Sequence, residues 1–257
     1  MTVAMTSRET MSKVPVVTLA FWVAKIAATT LGETGGDAVS MSLNLGYALS
    51  TVIFAGVFLI ALGAQLATTA YHPVSYWFVI VATTTVGTTM SDYCDRTLGL
   101  GYSVSSAVLL SSVVLVLVVW RLVTGSISVA RITDRRSEIF YWTTILFSNT
   151  LGTALGDWLS DTQGFGFGGS ALVFGGLIGL VAAAYFVTKI PHALLFWAAF
   201  VLTRPLGATL GDLLTKAHEQ GGLHLDRISS SLVLAVLMIG CIAFTGLRKS
   251  PEKTPSR

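Results

Sequence analysis

Charge is what this chain has least of: 11% of its 257 residues are Asp, Glu, Lys or Arg, where soluble domains carry about 25%. With 53% hydrophobic residues and a mean hydropathy of +0.74, a water-exposed surface cannot be built from what remains. Two cysteines, Cys94 and Cys241, exclude a disulfide framework and read as two inert thiols. Of the four histidines, His72 and His192 stand apart from the acidic residues, and His218 and His224 fall in a loop after Asp212. There they could contribute ligands, but solvated loop histidines are the commoner case, so zinc or copper is less expected than a hard ion. The net charge of +3 is too small and too dispersed to call for nucleic acid.

What is present is a series of long apolar runs. A membrane-crossing helix needs about 20 residues, and candidate spans fall at Val16–Leu31, Leu43–Leu66, Val74–Met90, Val104–Trp120, Ile139–Leu155, Ala171–Val187, Leu194–Leu210 and Leu232–Leu247. A polar leader with Arg8, Glu9 and Lys13 precedes the first. No small-residue cleavage site follows and Lys25 interrupts the run, so a retained helix is expected rather than a signal peptide. Arg8, Lys13, Arg121, Arg131, Arg135, Arg136, Lys189, Arg248, Lys249, Lys253 and Arg257 fall on one side of the implied topology, against Arg96, Lys216 and Arg227 on the other. The positive-inside rule then puts both termini in the cytoplasm.

The chain repeats itself four times. Trp22, Trp77, Trp142 and Trp197 are each followed ten residues later by glycine (Gly32, Gly87, Gly152, Gly207) and five residues further by aspartate (Asp37, Asp92, Asp157, Asp212). The spacing is 55 residues, then 65 across the basic loop, then 55, so the chain reads as two halves of two units. The repeats run approximately 14–67, 73–122, 138–188 and 192–247, with a basic cytoplasmic loop at 123–137 and a cytoplasmic tail at 248–257. The expected fold is a single all-α polytopic membrane bundle of about eight helices, built from four parallel helical-hairpin repeats.

Within each motif a second small residue, Gly36, Ser91, Gly156 or Gly211, follows the glycine by four. Small residues at this spacing share a helix face and permit close packing in lipid. Three residues before the glycine stand Thr29, Thr84, Asn149 and Arg204, and seven before it in the first copy stands Lys25. The polar residues therefore lie on the packed seam. Ionisable groups at membrane depth mark interior partners or a pathway.

Packing along the glycine faces brings the four aspartates toward one level, with Glu33, Asp95 and Asp161 as secondary acids. Oxygen ligands of this kind suit magnesium, calcium or manganese, so the expected function is transport or conduction of a small cation, a divalent ion such as manganese or one coupled to protons. The alternative is a binding, sensor or transport protein for an anionic or organic ligand at Lys25, Asn149 and Arg204. The tryptophans are expected to be packing anchors. An intramembrane aspartyl protease requires Gly-x-Gly-Asp with a Tyr-Asp partner. Here Gly35-Gly36-Asp37 and Tyr93 after Asp92 fit neither half, so no enzyme is expected, and no cofactor.

The runs Thr-Leu-Gly-Glu-Thr-Gly-Gly-Asp at 30–37, Thr-Leu-Gly-Thr-Ala-Leu-Gly-Asp at 150–157 and Arg-Pro-Leu-Gly-Ala-Thr-Leu-Gly-Asp at 204–212 resemble an uncharacterised family of bacterial integral membrane proteins over nearly the whole chain. That resemblance implies the bacterial inner membrane, with lipid and a small ion or solute as partners, and supplies no mechanism. Glu33, Gly35, Asp37 and Ser40 are loosely similar to the Glu-x-Gly-Asp-[Lys/Arg]-[Ser/Thr] motif of cation exporters, with Gly36 inserted and Ala38 in place of the base.

Overall fold

The computed structural model describes residues 12–130 and 132–247, with 245–247 as backbone only. Arg8, Glu9, Arg131 and the 248–257 tail lie outside the described residues. Those described form eight α-helices and no strand: α1 Leu19–Asp37, α2 Gly46–Ala67, α3 Pro73–Asp92, α4 Tyr102–Thr124, α5 Arg135–Asp157, α6 Gly166–Val187, α7 His192–Thr215 and α8 Arg227–Leu247.

Local chemistry sets the helix starts. Thr18, His72 and Asp134 each accept a hydrogen bond from the backbone N–H three residues on, satisfying an orphan donor at the heads of α1, α3 and α5. At their other ends these three helices share a five-residue π-helical turn directly after the motif aspartate: Ala38–Ser42, Tyr93–Thr97 and Trp158–Thr162. Beyond each turn two residues take positive φ at equivalent repeat positions, Asn44 and Gly46, Gly99 and Gly101, Gly164 and Gly166. That left-handed backbone suits glycine and tolerates asparagine, and it swings the chain sideways into the next helix.

The sideways swing decides the architecture. The two helices of a repeat, expected to pair as a hairpin, do not pack chiefly on each other: α2 packs on α3, α4 on α5, α6 on α7, and α8 closes on α1. The odd-numbered helices pack on one another in the cyclic order α1, α3, α5, α7 and back to α1. Four inner helices thus make a closed ring, and each outer helix is handed to the next repeat.

The ring closes on glycine. The backbone of Gly32 rests on Thr84, that of Gly87 on Asn149, that of Gly152 on Arg204, and that of Gly207 on Thr29. In each case the motif glycine meets the residue three before the glycine of the next repeat, and a Cβ would collide. A turn further on, Cβ atoms at Gly36, Gly156 and Gly211 would meet Thr88 at 3.1 Å, Ala208 at 3.3 Å and Glu33 at 2.8 Å. Threonine hydroxyls at these contacts bond across the seam as well as along their own helix: Thr29 donates to Ile26 O at 2.8 Å and Thr203 O at 3.2 Å, and Thr84 to Val81 O at 2.9 Å and Ala28 O at 3.3 Å. Hydroxyls satisfied in this way let the inner helices carry threonines on the packed seam.

Around the ring the surface is apolar. Helices α2, α4, α6, α7 and α8 are long and apolar enough to cross a membrane, and in α2, α4, α6 and α8 only 11–17% of the most apolar stretch is buried by the protein. Exposed Val52, Ile60, Leu115, Leu172, Leu180 and Val236 belong to faces far too extensive for water. The chain is therefore a multi-pass membrane protein. Helices α1, α3 and α5 fall below the same hydropathy measure because their polar residues line the ring interior, where the outer helices shield them.

At the end where the inner helices begin, an aromatic layer fills the ring. Trp77, Trp142 and Trp197 are buried and Trp22 half-buried, packed with Phe21, Tyr76, Tyr141 and Phe196. Tyr76 and Tyr141 share a hydrogen bond of 2.5 Å between the neighbouring helices α3 and α5, and Trp197 Nε1 donates to Ile127 O at 3.0 Å. Lys13 ties the start of the described chain to this end through an ion pair with Glu138 at 2.7 Å.

Candidate functional site

The axis of the inner ring carries a column of polar side chains. Nearest the aromatic layer is Lys25 of α1, fully buried, whose ammonium lies 4.2 Å from the centre of the Phe200 ring and 3.4 Å from Asn149 Oδ1. Asn149 belongs to α5, diagonally across from α1, so this contact spans the ring. Its amide Nδ2 donates to Thr83 Oγ1 of α3 at 2.9 Å. Among the described residues Lys25 forms no ion pair with a carboxylate.

One level on, all four inner helices meet at a single carboxylate. Glu33 of α1 accepts from Arg204 Nη2 of α7 at 3.0 Å, from Thr88 of α3 at 3.2 Å and from Thr153 of α5 at 3.4 Å. The same Arg204 nitrogen bonds Thr153 at 2.7 Å and also Thr88. Arg204 is wholly buried and Glu33 is 3% exposed. Among the described residues Arg204 Nε and Nη1 have no hydrogen-bond partner, nor does the buried Ser148 hydroxyl next to Asn149. Seam residues Lys25, Thr29, Thr84, Asn149 and Arg204 are thus all buried, with Lys25, Asn149 and Arg204 on the axis.

At the far end of the column lie the four motif aspartates, each at most 3% exposed. They are joined in two pairs by two bases. Arg96 binds Asp92 at 2.8 Å and Asp157 at 3.0 Å; Lys216 binds Asp37 at 2.8 Å and Asp212 at 3.1 Å. Arg227, heading α8, lies 3.8 Å from Asp37. Each bridging base comes from an even-numbered repeat and links its own aspartate to that of the next. Oxygen atoms of Glu33, Asp37 and Asp212 all fall within 4.8 Å of one another.

A family model described as Repeat of Unknown Function (DUF347) matches residues 20–71, 75–126, 140–190 and 195–249. The chain belongs to this family. Comparison with curated proteins and with solved structures finds no match. Each DUF347 match takes in one inner helix and the outer helix that follows it, so the family's unit of sequence contributes one member to the ring and one to the shell of its neighbour.

Two of the three secondary acids of the DUF347 chain, Asp95 and Asp161, do not join the column. Asp95 turns to the outer layer, where it accepts from Ser91 at 3.3 Å and from Ser105 of α4, and Asp161 is exposed. Sequence reasoning assigned Arg96 and Lys216 only to loop charge, yet they are the counter-ions of the ring. Their signal is present: both stand four residues after the motif aspartate, in the second and fourth copies alone, where the first and third carry Met41 and Asp161. Glu33 is likewise more central than a secondary acid, since it touches every other inner helix.

Loop structure holds Lys216 in place. The fourth repeat lacks the π-helical turn; α7 ends at Thr215, and the following loop folds back so that Leu223 N donates to Leu213 O at 2.7 Å and His224 N to Lys216 O at 2.9 Å. Gly222 lies against the Lys216 carbonyl so closely that a side chain there would collide with it. His218 bonds Gly222 O at 2.9 Å within this loop and takes no part in the column.

Proposed function

We propose that the protein transports a small cation along the axis of its inner ring, with Glu33, Asp37 and Asp212 as the holding site and Lys216 as the group the cation displaces. The observation that carries this reading is the grouping of three buried carboxylates within 4.8 Å, two of them bridged by a lysine ammonium. A point equidistant from three oxygens at that spacing lies about 2.8 Å from each, close to the roughly 2.3–2.6 Å of calcium–oxygen bonds. Small inward shifts bring the oxygens into range of a hard divalent ion.

Lysine suits this exchange better than arginine. An ammonium on a flexible stem is a point charge that can leave, whereas the planar guanidinium of Arg96 is matched to two carboxylates at once and never loses its charge. The two bridges then divide the work: Asp92–Arg96–Asp157 braces the ring, and Asp37–Lys216–Asp212 opens. In this reading all eight helices cross the bacterial inner membrane, lipid surrounds the outer helices, and the aspartate end faces outward, as the excess of Lys and Arg at the opposite end favours.

Manganese, calcium and magnesium flux into sealed proteoliposomes tests the proposal. Asp37→Asn and Asp212→Asn are expected to abolish flux, while Lys216→Met, which removes the tethered competitor, lowers the half-saturating ion concentration. Absence of flux for all three ions, or unchanged flux in both aspartate variants, sinks the cation reading.

A further inference from the structure

The column holds a charge imbalance that the cation reading does not use. Between the aromatic layer and the aspartates stand two fully buried bases, Lys25 and Arg204, and one acid, Glu33. Glu33 is engaged by Arg204 through a single nitrogen, Nη2, at 3.0 Å. Lys25 has only the Asn149 carbonyl oxygen at 3.4 Å and the Phe200 face at 4.2 Å. At membrane depth a surplus buried charge is expensive and calls for a partner.

The unused polar atoms there are donors. Arg204 Nε and Nη1 carry N–H groups with no acceptor, and Ser148, beside Asn149, has a fully buried hydroxyl with none either. The Asn149 amide is committed to Thr83, and its carbonyl oxygen to Lys25. Both bases sit on the axis, because Lys25 reaches the diagonally opposite α5 and Arg204 reaches α1, α3 and α5. Two buried bases at successive levels of one axis, with free donors and one acid already engaged, match the chemistry of an anion.

We propose that the ring axis binds one small monovalent anion, of the chloride, nitrate or acetate class, between Lys25 and Arg204, with Ser148 as a further donor. The anion restores neutrality at this level and supplies the acceptor that Arg204 lacks. This site is separate from the carboxylates that hold the cation in the preceding reading and stands without it.

Equilibrium binding of radiolabelled chloride to the purified full-length protein in detergent tests the site, with nitrate and acetate as competitors at constant ionic strength and gluconate as a bulky control. Saturable binding of one chloride per chain is expected, displaced by nitrate and acetate and not by gluconate. Lys25→Met removes a charged partner and is expected to weaken binding about 10- to 100-fold, with Lys25→Arg retaining it; size-exclusion chromatography and circular dichroism establish that each variant is folded. Glu33→Gln, which removes the competing acid, is expected to tighten binding. Asp212→Asn, in which the cation reading predicts lost flux, is expected to bind chloride like the wild type, so the two proposals fail separately. No saturable binding in the wild-type protein, or wild-type affinity in folded Lys25→Met, overturns the assignment.

Discussion

The Gly152 backbone lies directly against Cβ and Cγ of Arg204, and this contact sets how far α7 can carry its guanidinium onto the axis. The stem of a large cation passes through the gap left by a missing side chain on the neighbouring helix. Thr84, Asn149 and Thr29 use the equivalent gaps at Gly32, Gly87 and Gly207.

Alanine at Gly152 therefore has a specific cost. Its Cβ would meet the Arg204 stem and, at 2.9 Å, the backbone nitrogen of Pro205, which cannot rotate away. Overpacking of this kind destabilises by about 1–3 kcal/mol. Gly175 in the outer helix α6 has nothing within 4 Å of an added Cβ, so Gly175→Ala is expected to be neutral or to stabilise by up to about 1 kcal/mol through helix propensity. Thermal unfolding in detergent of the two variants side by side checks the difference, and equal effects would contradict close packing of the ring.

Glu33 and Arg204 form a buried pair whose halves depend on each other. Replacing Glu33 by Gln keeps the shape and leaves a second wholly buried cation without a counter-charge, for which a loss of about 3–5 kcal/mol is expected. Glu33→Gln combined with Arg204→Met removes both charges, and recovery of most of that loss in the double variant is the predicted outcome. A Glu33→Gln protein as stable as the wild type would mean that Glu33 and Arg204 do not stabilise the fold as an ion pair.

Asp134 caps α5 by accepting from Ser137 N at 2.7 Å. Partial burial alone would raise its pKa, but the hydrogen bonds from Ser137 prevail and hold it below the ordinary 3.8. A depressed folded-state pKa gives stabilisation that is fully present above the unfolded value and is lost as pH falls through the folded one. Asp134→Ala is thus expected to cost about 1 kcal/mol at neutral pH, with the gap to wild type closing as pH falls below the ordinary carboxylate range. Unfolding midpoints of both proteins across the acid range measure it; a gap that persists at low pH would assign the effect to something other than the charged cap.

The eight helices were legible because apolar runs of membrane length are bounded by glycine-rich and charged connections, and each expected span overlaps an observed helix. The ring was legible in part. Four glycines in one register announced a packed face, and the burial of Lys25, Thr29, Thr84, Asn149 and Arg204 follows from their place on it. Which neighbour each glycine meets is a matter of handedness and connection geometry, written in the π-helical turns and the positive-φ residues such as Asn44 and Gly46, and these carry no hydropathy signal. For the same reason the hairpin expectation missed the transfer of each outer helix to the next repeat. Arg96 and Lys216 were hidden by their position after the last helical turn, where a base reads as solvent-exposed loop until the chain folds it inward.

The packing of α8 on α1 means that the protein has no terminal repeat in the sense that an open solenoid has. Cut between α4 and α5, each half keeps one base, two motif aspartates, and an inner helix missing its outer cover, and the covering helix it lacks is carried by the other half. Arg96 bridges the halves on one side and Lys216 on the other, in equivalent positions of a two-fold arrangement. The single chain is in this respect a tethered dimer, and the connection at 125–134 between α4 and α5 is the tether that turns an assembly problem between two molecules into a folding problem within one.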